Sequence, residues 1–135
     1  MKALIDTNVL VYDTFEDGIY HKEAQKILDN LKEWIIPTIV LHEYVWFMKS
    51  INMSIEDCIE KVKEYIYDEK SKILCETQND VIGSLRIISK ERLSLSSYND
   101  KVLLYLAKRY RLAIATFDEK LKKQAKNENL KVIQY

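Results

Sequence analysis

Lys2-Ala3-Leu4-Ile5-Asp6-Thr7-Asn8-Val9-Leu10-Val11 begins as a short apolar run, stops on an acid, and then resumes its apolar pattern. An apolar run of this length without alternation fits a strand buried on both faces of a parallel sheet. Asp6 then stands where the chain leaves that strand. The apolar residues behind it fit a short helix over Thr7 to Tyr12.

Outward from this segment, strand candidates recur at Trp34 to Ile36, Lys72 to Leu74, Leu112 to Ala115 and Lys131 to Ile133. Helical spacing fills the intervals. Tyr20 to Lys32 sets Ala24, Ile27, Leu28 and Leu31 on one face. Thr38 to Lys49 is apolar nearly all round, as expected of a central, heavily packed helix. Ser54 is an N-cap candidate for a helix carrying Ile55, Ile59, Val62 and Ile66. Asn79 to Lys90, Asp100 to Arg109 and Asp118 to Lys126 complete the set. Strands alternating with helices of ten or more residues imply βαβ units. The expected fold is therefore α/β: one domain over residues 1–135, a three-layer α/β/α sandwich with a central parallel sheet of about five strands.

The 135 residues are 47% hydrophobic and 31% charged, the make-up of a globular protein rather than a disordered one. Lys plus Arg (21) balance Asp plus Glu (21), so global charge argues neither for nor against nucleic acid. Cys58 and Cys75 lack CxxC spacing and read as reduced thiols. His21 and His42 are the only histidines, too few for a His-rich zinc site. No apolar run approaches ~20 residues, and the opening segment reads as a strand rather than a leader. The expectation is a cytoplasmic protein with no membrane partner.

In an open parallel sheet, ligands bind beyond the carboxyl ends of the strands. Asp6 leaves the first strand there, and Asp118, in Ala115-Thr116-Phe117-Asp118, leaves the fourth. Glu43 interrupts the apolar helix Ile39-Val40-Leu41-His42-Glu43-Tyr44-Val45-Trp46. It has three readings: a carboxylate paired with Lys or Arg, one on a narrow exposed stripe, or one that points toward the strand ends and binds a cation. Asp100 lies in a helical first turn, where the dipole and free N–H groups favour an acid. Taken singly, Asp6, Asp100 and Asp118 all read as helix caps; the case for a site rests on the set. Glu56, Asp57, Glu60 and Glu64 interleave with Lys61 and Lys63 as on a solvated helix face, and Asp80 reads as helix-start chemistry.

Clustered carboxylates repel unless they protonate or bind a cation, and near pH 7 a cation resolves the conflict. Carboxylates without histidines suit Mg²⁺, whose chemistry includes phosphodiester hydrolysis. The basic residues Lys90, Arg92, Lys101, Arg109, Arg111, Lys120, Lys122 and Lys123 read singly as ordinary solubilising residues, and none is nominated for a binding role.

The order Ile5-Asp6-Thr7-Asn8-Val9-Leu10, Thr38-Ile39-Val40-Leu41-His42-Glu43, Asn99-Asp100, and Ala115-Thr116-Phe117-Asp118 resembles the PIN domain, most closely the VapC-type toxin ribonucleases of toxin–antitoxin pairs. The resemblance covers the whole chain. It implies a metal-dependent endoribonuclease with a Mg²⁺ or Mn²⁺ site at Asp6, Glu43, Asp100 and Asp118, supported by Asn8 and Thr116. It also implies an RNA substrate, a homodimer and a small VapB-like antitoxin. Many relatives carry a further acid two residues after the last one, where this chain has Lys120. Within the same resemblance, an RNA-processing nuclease without an antitoxin and a non-catalytic RNA-binding module are the alternatives. An aspartyl-phosphate phosphatase would need an acid where Asn8 stands.

Overall fold

The computed structural model of the protein describes residues 1–135. Strands β1 (Lys2–Ile5), β2 (Glu33–Pro37), β3 (Ser71–Leu74) and β4 (Ala113–Ala115) form one four-stranded sheet in the order β3-β2-β1-β4. Every pairing is parallel, with Leu4 in register with Ile35 on one side and Ile114 on the other. Helices α1 (Thr7–Thr14), α2 (His21–Asn30), α3 (Thr38–Ser50), α4 (Ile55–Ile66), α5 (Gln78–Glu91), α6 (Tyr98–Tyr110) and α7 (Glu119–Asn127) flank it, with a short 3₁₀ turn at Leu95–Ser97 before α6. The α/β architecture with helices about a parallel sheet is the one expected.

The fifth strand expected at Lys131 to Ile133 is reduced to a single parallel bridge between Val132 and Ile114. β4 spans only Ala113–Ala115 before the chain turns away at Thr116, so a neighbour has little strand to pair with. The bridge is closed by Ile114 N–H donating to Lys131 O and Ile133 N–H donating to Ile114 O, both at 2.9 Å.

The sheet interior is sealed by Leu4, Ile5, Ile36 and Ile114, all fully buried. Each such side chain contributes about 1.5–3 kcal/mol relative to exposure. The strand order reverses at β1: β2 and β3 extend the sheet to one side, and the chain then crosses back to place β4 on the other. The crevice at the carboxyl ends of β1 and β4 is thus the switch point, where open parallel sheets bind ligands.

Helix α3 departs from expectation. It buries only Val40, Tyr44 and Met48, a single stripe at i, i+4, i+8. Its opposite side faces solvent, with Trp46 63% exposed. The buried stripe is pinned by hydroxyls rather than by apolar contact alone. Thr14 Oγ1 lies 2.6 Å from the Tyr44 hydroxyl, and Tyr65 of α4 donates to Asp13 Oδ2 at 2.7 Å. Burial pushes the Tyr44 hydroxyl up to about 12, so it stays a neutral donor. These bonds tie α1, α3 and α4 together and set how α3 is rotated.

On the other flank, Thr77 and Asp80 form a reciprocal capping box at the start of α5. The Asp80 carboxylate is fully buried and takes the Arg109 guanidinium of α6 at 2.6 Å. Asp80 is therefore structural, as the sequence suggested. Among the helix-face acids, Lys61 and Glu64 pair at 3.8 Å with i, i+3 spacing.

Candidate active site

Asp6 is both the residue after β1 and the N-cap of α1. Its Oδ1 accepts the Thr7 N–H at 2.7 Å. Its Oδ2 accepts the Thr116 hydroxyl at 2.6 Å and Asn8 Nδ2 at 3.2 Å. The capping and site readings of Asp6 coexist, because a carboxylate offers about four lone-pair directions. Asn8 is locked in turn: Phe117 N–H donates to its Oδ1 at 3.0 Å, while Nδ2 also reaches Thr116 Oγ1 at 3.3 Å. Thr116 is fully buried, and its hydroxyl also accepts the Asp118 N–H at 3.0 Å. One buried hydroxyl thereby fixes the relative placement of the first and last acids. Asp118 is the N-cap of α7, with Oδ1 accepting Leu121 N–H at 3.0 Å.

Glu43 reaches the same place from α3. Its Oε1 accepts the Thr7 hydroxyl at 2.8 Å, and its Oε2 accepts Asn99 Nδ2 at 2.9 Å. The alternative in which Glu43 pairs with Lys or Arg is not what the structure contains, since no ion pair in the protein involves Asp6, Glu43, Asp100 or Asp118. Thr7 and Asn99 were not assigned a role from sequence. Their positions beside Asp6 and Asp100 were the one signal that could have found them. Asp100, in the first turn of α6, takes no side-chain hydrogen bond and leaves both oxygens free.

All four acids line a single cavity of about 700 Å³, together with Thr7, Asn8, Trp46 and Ser50. Burial, with the Glu43 and Asp100 charges behind it, raises the Asp6 carboxyl to about 6 against the Thr116 and Thr7 hydrogen bonds. Burial and the neighbouring Asp118 and Glu43 charges raise Asp100, and Lys120 and Lys101 oppose the rise. Lys101 is committed elsewhere, bonded to both Glu91 oxygens at 2.9 Å. Of the other basic residues, Arg109 is held by Asp80 and Lys122 by Glu119 and Tyr135. The four acids thus form no ion pair, and Lys120 opposes their charge without bonding to any of them.

The donor set fits a hard divalent cation: its lining holds four carboxylates and no histidine or cysteine. No three His, Cys, Asp or Glu side chains are grouped closely enough to hold an ion.

The chain matches the PIN domain family over residues 3–127. Its fold is similar to that of Mycobacterium tuberculosis VapC20, described as a sarcin–ricin loop cleaving toxin, with TM-score 0.77 and 11% identity over 90% of this chain and 94% of that one. It is also similar to VapBC2 from Rickettsia felis, solved with a promoter DNA fragment, with TM-score 0.68 and 20% identity over 100% of this chain and 99% of that one. A toxin–antitoxin complex from Klebsiella pneumoniae aligns with TM-score 0.61 and 22% identity over 87% of this chain and 88% of that one. No curated protein sequence matches the chain. No helix is long and apolar enough to cross a membrane.

Proposed function

Because the chain belongs to the PIN domain family, we propose that it is a metal-dependent endoribonuclease acting in the cytoplasm, the toxin of a VapBC-type pair. The observation that carries this reading is the convergence of Asp6, Glu43, Asp100 and Asp118 on one cavity without a basic partner. The toxin assignment is supported by fold similarity to VapC20 and VapBC2. A homodimer blocked by a small antitoxin belongs to the same proposal.

Asp6 and Asp118 would hold Mg²⁺ or Mn²⁺ from the strand ends, directly or through water, and Glu43 and Asp100 would complete the set. The ion, when bound, supplies an acidified water and neutralises charge on the scissile phosphate. The protein's own part is largely orientation. Thr116 and Asn8 hold Asp6 Oδ2, and Thr7 and Asn99 hold the two Glu43 oxygens. Such outer contacts typically change activity 10–100-fold when removed. Asp100, free of protein donors, is assigned to accept the proton of the attacking water. Lys120 replaces an acid found in many relatives, which removes a ligand that a second ion would use. Single-stranded RNA suits an open acidic cleft, because its backbone can enter and its bases can splay.

Incubation of the protein with defined RNAs in Mg²⁺, Mn²⁺ or EDTA tests the proposal. Cuts at fixed positions in either metal and none in EDTA are expected. Cleavage that persists in EDTA, or none under any condition, contradicts it. For the toxin assignment, expression should arrest growth and co-expression of a small upstream reading frame should relieve the arrest.

A further inference from the structure

We propose that Trp46 is a base-stacking platform at the mouth of the acidic cavity, holding an unpaired nucleobase of the RNA beside the phosphate to be cut. The inference rests on the nuclease reading and adds a substrate-positioning residue to it.

The chain has two tryptophans, and they are used differently. Trp34 is a structural one: 8% exposed, its indole N–H donating to Leu28 O at 2.9 Å. Trp46 is 63% exposed and lines the same cavity as the four acids. Leaving so large an aromatic surface in water forgoes burial energy. Lys49, one turn on, places its ammonium 5.0 Å from the Trp46 ring centroid. Lys49 lies over one face of the ring, so a base would stack on the opposite face while the cation meets backbone phosphate, the combination that binds single-stranded nucleic acid. Helix α3 carries Glu43 and Trp46 into one cavity, so a base seated on the ring brings its own backbone to the acids.

A protein segment is the rival occupant, and the surface around α3 argues against it at Trp46. The apolar concavity suited to a helix lies between α3 and α4, lined by residues that include Val45, Met48, Ile55, Ile59 and Val62, and Trp46 is not among them. The ring instead shares its cavity with Ser50 and the four carboxylates, beside Val11, Tyr12 and Phe47. Stacking reads an unpaired base rather than its identity. Trp46 therefore places the cut relative to an unpaired residue and leaves sequence choice to other contacts.

The test uses full-length protein and a defined single-stranded RNA that the wild type cuts. Trp46→Ala should raise KM roughly 5- to 150-fold, the range for loss of one stacked base, with a smaller change in kcat. Trp46→Phe should recover most of that loss. An abasic substitution beside the cut site should weaken cleavage by wild type and have little further effect on Trp46→Ala. In the Asp6→Asn protein, titration with the RNA should quench tryptophan emission, and the quench should vanish when Trp46→Phe is added. Unchanged KM in Trp46→Ala, or quenching by RNA that survives removal of Trp46, overturns the proposal. So does a variant that cuts normally but no longer binds a protein inhibitor, since the ring then belongs to a protein interface. Quenching of Trp46 in a protein that never cuts RNA would uphold the stacking and overturn the nuclease reading instead.

Discussion

Asn99 Nδ2 donates to Glu43 Oε2 at 2.9 Å, so the residue before Asp100 holds the carboxylate that α3 brings to the cavity. The Thr7 hydroxyl takes the other oxygen at 2.8 Å. Two neutral donors from the two sides of the site thus aim Glu43 without neutralising it.

Removing either donor should impair chemistry more than stability. Asn99→Ala and Thr7→Val are each expected to lower kcat about 10–100-fold, the usual cost of losing an outer-shell partner. Circular dichroism should stay unchanged and Tm nearly so. Wild-type kcat in both variants would show that Glu43 needs no aiming.

Thr116 carries more of the architecture. Its hydroxyl touches Asp6, Asn8 and the Asp118 N–H. Thr116→Val keeps the shape and strips the hydroxyl, leaving buried polar groups unpaired at a cost of about 1–3 kcal/mol. Thr116→Ser should restore most of both stability and activity. Denaturant melts of the two variants distinguish the hydroxyl from the methyl.

Much of this was readable before any coordinates. Asp6, Glu43, Asp100 and Asp118 are legible only as a set: Glu43 interrupts an apolar helix, but Asp6, Asp100 and Asp118 each also read as helix caps. Their supports were less so. Asn8 and Thr116 sat inside motif-like stretches, but Thr7 and Asn99 are small polar residues beside helix starts, where capping explains them equally well. The apolar run in α3 misled for a related reason. Periodicity counts Val45 and Trp46 as core, but their fate depends on what packs across from them, and only the fold decides that. The Lys131 to Ile133 segment had strand character yet found only the short β4 to pair with.

The pH dependence of the metal-free protein has a definite sign. Asp6 is raised to about 6 in the folded state and titrates near 3.9 when unfolded. Between those values the folded protein holds a proton that the unfolded chain has released, so stability increases as pH falls through that window. Melts in EDTA should give a higher Tm at pH 5 than at pH 7, with a smaller difference in Asp6→Asn. Saturating Mg²⁺ should raise Tm at pH 7, as any ligand of the folded state does. A lower Tm at pH 5 in EDTA would contradict the burial of an unpaired charge at Asp6.

Asp80 predicts the opposite sign at lower pH. Burial alone would push its carboxyl up, but the Thr77 amide and hydroxyl and the Arg109 guanidinium hold it below the usual carboxylate range. Its contribution is full above the unfolded value of about 3.9 and is lost as pH falls through the lower folded value. Arg109→Gln should therefore lower Tm at pH 6, and the difference from wild type should shrink toward pH 2. Catalytic constants per folded molecule should be unaffected, since this pair lies outside the acidic cavity.

The central claim is that four acids from four places in the chain act as one metal-dependent site. It is tested most directly by cleavage of one defined single-stranded RNA in Mg²⁺ by the wild type and by Asp6→Asn, Glu43→Gln, Asp100→Asn and Asp118→Asn, each confirmed folded. The account predicts metal-dependent cutting by the wild type and at least about a 100-fold loss in every variant, the scale expected when a ligand of the reacting centre is removed. A folded variant of any one of the four that cuts at the wild-type rate would contradict it.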